Sequence, residues 1–391
     1  MLIRLVKIAL SLVLILVIAS KSFAAVEVKV NESINAFALN AAKLIAESSK
    51  GNNFFFSPYS IITAFGMAYA GSAGDTAKEI SRVMKFSPDF HKALGDFITQ
   101  LESDKAITSA NRVWLREGLT LKNYYELTLS ERYKSSAAEL DFKNDSEGSR
   151  KIINDWVSDK TNGRINNLLA KVLPDTQMIL TNAVYFNAKW SREFNEKNTQ
   201  DKEFDSFGNK IKVPMMMQYN KFSYAEDDGT KIIRLPYEGR MSMVIVLPPE
   251  GKTGLEDLTP ERFAKLTQSL SRYEVDLWLP KFKTEESYEL KNLFKKLGIK
   301  SAFSNSADFS GITQDEKLKI DSIIHKTFID VDEKKTEAAA ATAITMVRAT
   351  AARPVELPKA EFHADRPFIY FIIDGSTDTI LFMGRQTFQK I

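Results

Sequence analysis

The spacing of apolar residues changes along the chain, and the predicted secondary structure changes with it. In residues 31–49 apolar side chains recur every three or four positions, which predicts an amphipathic helix. Ser57 and Pro58 predict the start of a second helix, because serine caps a first turn and proline fits the first helical position. Helical spacing is also found in residues 149–161 and 287–297.

Strand patterns dominate the rest of the chain. We predict strands in six segments, four of which form two hairpins with turns at Glu238-Gly239 and Asp374-Gly375: 178–190, 231–235, 241–247, 275–282, 368–373 and 379–383. Helices come mainly first and strands cluster later, without a regular βαβ alternation. This order predicts an α+β fold.

Residues 333–366 fit neither pattern. They contain no glycine, few large apolar residues and many alanines. Helix propensity alone predicts a short helix over 334–343, followed by a linker, because alanine is the best helix former. A long irregular segment inside a compact domain is uncommon, however, and is usually functional or disordered.

The N-terminus has the features of an export signal. Arg4 and Lys7 precede an apolar run over 8–19, and small residues at Ser22 and Ala24 favour cleavage after Ala24. A membrane anchor is the alternative, but the run is short for a span of about 20 residues. We therefore expect a protein without a membrane segment that is secreted, or periplasmic in a Gram-negative bacterium. Residues 25–391 show no repeat or linker, which predicts a single domain.

Composition excludes several classes of function. Residues 1–24 hold three basic residues and no acid, so the remaining chain has 50 basic and 50 acidic residues, and nucleic-acid binding is not expected. The absence of cysteine excludes thiol catalysis and thiolate metal sites. Only three histidines occur, and no hydrolase, metalloprotease or phosphate-binding motif is found. We predict no enzyme activity, no metal and no cofactor.

Six segments resemble motifs of the serpin family, in the order and spacing of that family. They are Asn53-Phe54-Phe55-Phe56-Ser57-Pro58-Tyr59-Ser60-Ile61, the strand 181–190 with its Asn182 and Trp190, Leu279-Pro280-Lys281-Phe282, the segment 325–342, Phe362-His363-Ala364-Asp365-Arg366-Pro367-Phe368, and Phe382-Met383-Gly384-Arg385. Each motif alone is weak, but together they span nearly all of the chain after residue 24.

The resemblance implies a serpin fold: three β-sheets, surrounding helices and an exposed reactive-centre loop over about 333–361. It also implies a metastable monomer that inhibits serine or cysteine endopeptidases as a suicide substrate. The target protease would cleave the loop, remain attached as a covalent acyl complex, and be trapped as the loop inserts into the main sheet. The alternative is a non-inhibitory serpin that acts as a decoy substrate, carrier or chaperone.

The resemblance also locates the bond that would be cleaved. Counting the family's usual 17 residues from Glu333 gives Ala349-Thr350, and alanine suits an elastase-like protease with a small pocket. A loop one residue shorter gives Arg348-Ala349, which suits a trypsin-like protease. Both bonds remain open, whereas Arg353-Pro354 is unfavourable because proline resists cleavage.

The hinge that would insert first is rich in small residues. It comprises Glu333, Lys335, Thr336, Glu337, Ala338, Ala339, Ala340, Ala341 and Thr342. Strand residues alternate between faces, so Thr336, Ala338, Ala340 and Thr342 share one face, and small side chains there favour insertion into a packed core. Lys335 stands where the family usually has glycine, which leaves the inhibitory efficiency open.

Two further groups are implied by the resemblance. Ser57, Ser60, Asn182 and His325 match the shutter, a polar cluster under the main sheet, and Trp190 matches the breach, where the loop enters. Without the family, the serines would be interpreted as helix caps and His325 as a hydrogen-bonded core histidine. Binding of glycosaminoglycans is less favoured, because Lys295, Lys296 and Lys300 are typical of a solvated face.

Overall fold

The computed structural model describes residues 30–49, 51–104, 106–336 and 356–389. The predicted signal over 1–24 lies outside these residues. So do Glu337, Ala338, Ala339, Ala340, Ala341 and Thr342 of the hinge, and Arg348, Ala349 and Thr350 at the proposed cleavage site.

Eight α-helices occur in the described residues, and the predicted helix over 31–49 is confirmed. They are α1 (30–48), α2 (Pro58–Ala70), α3 (Gly74–Met84), α4 (Phe90–Glu102), α5 (Asn123–Tyr133), α6 (Ser146–Lys160), α7 (Pro260–Gln268) and α8 (Lys291–Leu297). Ser57 caps α2 as expected: its side-chain oxygen accepts a hydrogen bond from the Ser60 N–H at 3.1 Å, and Pro58 occupies the first turn.

Sixteen strands complete the described fold. They are β1 (Phe54–Phe56), β2 (Ile107–Arg116), β3 (Ala137–Leu140), β4 (Met178–Phe186), β5 (Ala188–Lys189), β6 (Gln200–Ser206), β7 (Asn209–Asp227), β8 (Thr230–Pro236), β9 (Met241–Leu247), β10 (Ser271–Pro280), β11 (Phe282–Glu289), β12 (Ser322–Val331), β13 (Lys335–Thr336), β14 (Lys359–His363), β15 (Phe368–Asp374) and β16 (Thr379–Gln386).

Nine of these strands form one hydrogen-bonded network in the order β1-β16-β15-β9-β8-β7-β10-β14, with β6 paired to β7. The long strand β7 belongs to two parts of this network, because it pairs with β6 and β10 along most of its length and with β8 only near its end. The expected mixed α+β fold with several sheets is confirmed, and two of the three expected sheets are joined through β7.

The second network is a seven-stranded sheet that positions the candidate site. Its strands follow the order β3-β2-β4-β12-β13-β5, and β11 pairs with the other edge of β12. Every residue of β4 is buried because both faces of the strand are covered. Leu180 and Val184 face the main core, whereas Ile179 and Ala183 pack in small clusters with residues of α6.

The main core is aromatic, as the 26 phenylalanines of the sequence suggest. Phe54, Phe55 and Phe56 are fully buried, and the Phe55 and Phe382 rings stack with centroids 5.4 Å apart. Within the described ranges, no helix is both long and apolar enough to cross a membrane. The same residues contain no group of three or more carboxylate or imidazole side chains suited to a metal ion.

Two expectations about secondary structure were wrong. Residues 287–297 do not form one helix: β11 continues to Glu289 in register with β12, and α8 begins only at Lys291. The predicted helix over 334–343 also fails at its start, because Lys335 and Thr336 are strand residues. In both places pairing with β12 overrides the local preference.

Candidate functional site

The two central strands of the seven-stranded sheet diverge at one end. β4 and β12 run parallel and pair directly from Ser322 opposite Ile179 to Phe328 opposite Tyr185. Beyond this point β5 continues the path of β4, but it no longer pairs with β12. The divergence leaves a gap one strand wide between β5 and the end of β12.

The short strand β13 fills this gap. Thr336 is the register partner of Val331 in β12, while Lys335 and Thr336 are partners of Lys189 and Ala188 in β5. β13 is antiparallel to both neighbours, so the first residues of the predicted hinge already lie inside the sheet. Lys335 therefore occupies an extended strand position, where the unusual dihedral angles that glycine permits are not required.

Trp190 lies beside this gap, which we call the entrance. Its indole Nε1–H donates to the Asp332 carbonyl at 2.9 Å, and its backbone N–H donates to the Lys334 carbonyl at 3.3 Å. The ring stacks on Tyr237 with centroids 4.4 Å apart. The Phe194 N–H donates to the Glu333 carbonyl at 2.8 Å. The backbone from 332 to 334 is thereby fixed before it enters the gap.

Glu333 is the buried charge of the entrance. Its carboxylate accepts hydrogen bonds from the Lys281 ammonium and the Thr199 hydroxyl, each at 2.7 Å. Burial alone would raise the pKa of Glu333, but these two donors lower it below its ordinary value. Sequence reasoning did not identify Lys281 or Thr199 as site residues. Lys281 stands in a quoted motif, whereas Thr199 carries no sequence signal.

The four residues matched to the shutter lie together beneath the sheet, and all are fully buried. The Ser57 N–H donates to His325 Nε2 at 2.9 Å, and the other ring nitrogen, Nδ1, contacts Asn182 Oδ1. The Asn182 amide donates to the Ser60 carbonyl at 2.6 Å. Asn182 and His325 are direct register partners on β4 and β12, so the cluster links the two central strands.

The contacts of His325 fix its protonation state. Nε2 must accept the hydrogen bond from Ser57, so Nδ1 carries the proton and donates it to Asn182. Burial lowers the pKa of His325 to about 3, against an opposing effect of its contact with Asn182. The imidazole is therefore neutral, and a second ring proton would point at a backbone N–H.

The cluster contains one member that sequence reasoning missed. Asn111 of β2 is the register partner of Asn182, and its Oδ1 accepts from the Asn182 amide at 2.7 Å and from the Ser60 hydroxyl at 3.3 Å. A single asparagine in a strand carries no sequence signal for this role. The polar cluster therefore reaches across β2, β4 and β12.

The polar groups of this cluster are engaged in structural hydrogen bonds. Ser57 donates its hydroxyl proton to the Leu381 carbonyl at 2.7 Å, so its Oγ is engaged in structure and His325 does not contact it as a base. The lysines considered for polyanion binding, Lys295, Lys296 and Lys300, are exposed around the end of α8.

Comparison with known proteins agrees with this geometry. The family model described as Serpin (serine protease inhibitor) matches residues 32–387. An uncharacterized serpin-like protein of Thermococcus kodakarensis is 40% identical over 369 residues, covering 92% of this chain and 85% of its own. Human serpin B4 is 36% identical over 370 residues, covering 86% and 94%. The crystal structure of human thyroxine-binding globulin complexed with its ligand superposes with a TM-score of 0.83 at 27% identity, covering 92% and 98%.

The chain belongs to the serpin family. Members of this family generally inhibit proteases and do not act as enzymes.

Neutral His325 makes the native state sensitive to acid. A histidine whose pKa falls from about 6.5 to about 3 on folding stabilises the native state fully above pH 6.5, and this contribution is lost as pH falls toward 3. One such group changes the free energy of unfolding by about 1.4 kcal/mol per pH unit. Burial also lowers the pKa of His91, to about 4. Protonation of His91 therefore lowers the free energy of unfolding over most of the same pH range.

We therefore expect His325→Gln, in a His91→Gln background, to flatten the dependence of the denaturation midpoint on pH between 6.5 and 3. Denaturant titrations across that range measure the slope, and His91→Gln alone is the control. An identical slope for the single and the double variant would contradict the assignment.

The Glu333–Lys281 pair is expected to hold β13 in place. Because Glu333 is buried and Lys281 is partly exposed, removing either partner should lower stability by about 1–2 kcal/mol, with coupling in a double-mutant cycle. Hydrogen exchange at the amides of Trp190 and Phe194 should accelerate.

Lys334→Ala is the matched control, because its ion pair with Glu196 is exposed and should contribute little. Equal effects of Glu333→Ala and Lys334→Ala would refute this role.

Proposed function

We propose that this serpin inhibits a serine endopeptidase, or a cysteine endopeptidase, by suicide-substrate trapping. The observation that carries the proposal is the pairing of β13 on both edges, with β5 on one side and β12 on the other. Lys335 and Thr336, near the start of the loop, thus already form a strand between β5 and β12.

The register of β13 determines which loop residues would face the core. Continuing it by two residues pairs Ala338 with Phe186 of β4 and Ile329 of β12, both fully buried in the main core. Continuing it by eight residues pairs Ile344 with the core residues Leu180 and Ile323. The two edges give the same alignment because β4 and β12 are themselves in direct register. Even-numbered residues therefore enter the core, and those nearest the entrance are small.

The same register brings Thr342 between Asn182 and His325. A strand inserted there increases the separation of β4 and β12 from about 4.8 to about 9.6 Å, so the contact between Asn182 and His325 must break. The hydroxyl of Thr342 can donate and accept at once, and it can hydrogen-bond with both former partners. In this scheme the polar cluster has two satisfied arrangements, one for the closed sheet and one for the open sheet.

Cleavage would release the loop. The nucleophile of the protease attacks the carbonyl carbon of Ala349, or of Arg348 for the alternative bond. The peptide C–N bond breaks, the new amine leaves with the proton, and the loop's carbonyl stays bound to the enzyme as an acyl group. Insertion of about 16 residues at about 3.3 Å each would carry the attached protease about 50 Å before water completes deacylation.

A non-inhibitory role as decoy substrate, carrier or chaperone is the alternative. The related thyroxine-binding globulin, whose structure holds its ligand, is a binding protein with this fold. Lys335 in place of the usual glycine was the sequence feature in favour of this role. The strand position of Lys335 weakens that argument, because an extended residue does not require glycine.

We further propose that the protein acts as a monomer outside the cytoplasm, after removal of residues 1–24. The support for export is the order of basic, apolar and small residues in that segment.

Incubation with an elastase-like and a trypsin-like protease tests the proposal. We expect a complex with one of them that survives detergent, and mass spectrometry of the released C-terminal peptide to begin at Thr350 or at Ala349. The cleaved protein should also resist heat better than the intact protein, because insertion completes the sheet. Cleavage without a complex and without a gain in heat resistance would support the decoy role.

Two neighbouring substitutions test the register. Ala338→Arg should reduce the yield of stable complex by at least about tenfold, since it forces an unpaired charge between Phe186 and Ile329. Glu337→Arg is the matched control, because it meets the half-buried Asn187 and Asp330 on the opposite face. Both variants should still be cleaved. Equal loss in the two variants, or none in Ala338→Arg, would show that this register is wrong.

A further inference from the structure

A polar pocket of about 270 Å³ lies at the side of the seven-stranded sheet, between β2 and the helices α2, α4, α5 and α6. β3 pairs with Val113 to Arg116 of β2, and no other described strand pairs with this side of β2 before Val113. Three lining residues of the pocket, Ser109, Asn111 and Arg112, belong to that part of β2. At about 30 Å³ per water molecule it has room for on the order of ten waters, and hence for a small ligand.

Arg112 of β2 supplies a fixed cation to this pocket. Its guanidinium lies 4.4 Å from the ring centroid of Trp156 and 5.2 Å from that of Trp114, and the two rings meet edge to face. Among the described residues no carboxylate pairs with it and no carbonyl accepts from it. Burial lowers the pKa of Arg112. A guanidinium that is held in place, partly desolvated and without an acceptor is a strong hydrogen-bond donor to an anion.

Two lysines add to the positive charge. Lys134 follows α5 in the left-handed conformation (φ 49°), and Lys160 is the last residue of α6. Neither forms an ion pair with another described residue. Glu102 is the acid among the lining residues, so the pocket carries a formal charge of +2. The tyrosines that line it, Tyr59 and Tyr133, stay neutral because burial raises the pKa of both phenols.

Three further lining residues, Ser109, Asn111 and Ser136, have side chains that can donate hydrogen bonds to an anion. Ser109 and Asn111 lie on the opposite face of β2 from Arg112, because alternate strand residues point to opposite faces, so the pocket wraps around the edge of β2. Asn111 is also the residue that accepts from Asn182 and Ser60, so the pocket adjoins the polar cluster under the sheet.

We propose that this pocket binds a small dianionic ligand of the phosphate monoester class, held by the guanidinium of Arg112 and by the ammonium groups of Lys134 and Lys160. A dianion matches the charge of +2, and the planar guanidinium matches two phosphate oxygens. The proposal does not depend on protease inhibition.

Titration calorimetry with phenyl phosphate at low salt tests the site, with phenol and inorganic phosphate as comparison probes. We expect saturable binding of one phenyl phosphate per chain, weaker binding of inorganic phosphate, and none of phenol. Arg112→Gln should weaken binding about tenfold, and Lys160→Gln about threefold. Glu102→Gln removes the one opposing charge and should tighten binding. Ligand that binds the native state should also raise its melting temperature.

Lys295→Gln is the matched control, since it removes one exposed lysine from α8, outside the pocket. Its affinity should equal that of the unaltered protein. If Arg112→Gln fails to fold, Lys160→Gln and Glu102→Gln, both at exposed positions, still decide the outcome. Absence of saturable binding, equal losses in Lys160→Gln and Lys295→Gln, or no gain in Glu102→Gln would overturn the assignment.

Discussion

The contact between β4 and β12 is the interaction on which the rest of this structure depends. The two strands are parallel neighbours at the centre of a sheet, and the imidazole of His325 and the amide of Asn182 join them from below. Both side chains are fully buried, so neither can exchange its partner for water without a cost. As long as this contact holds, the sheet is closed over most of its length.

The same two strands separate at the far end of the sheet, where β13 lies between β5 and β12. The gap beside Trp190 already contains a two-residue strand, and the chain leading to it is held by the buried carboxylate of Glu333. The sheet therefore combines a gap that holds the start of a strand with a polar cluster that joins β4 and β12 farther along.

Much of the site could be predicted from the sequence, because the family motifs include the residues concerned. Ser57, Ser60, Asn182, His325 and Trp190 were all named from motif positions, and the structure brings the first four into one cluster and the last to the gap. Asn111 and Thr199 were not named. Each is an isolated polar residue whose role arises only from its partner, Asn182 or Glu333, and no local pattern records such a pairing.

The sequence by itself determined the α+β class, the capped start of α2 and the small side chains of the hinge, because these follow from spacing, capping and residue volume. Only the tertiary structure decided that residues 287–289 extend β11 and that Lys335 and Thr336 form a strand, against the helical preference of both segments. The physical reason is the same in both places. An edge of β12 offers backbone hydrogen-bonding groups, and pairing with them outweighs a preference of at most about 1 kcal/mol per residue.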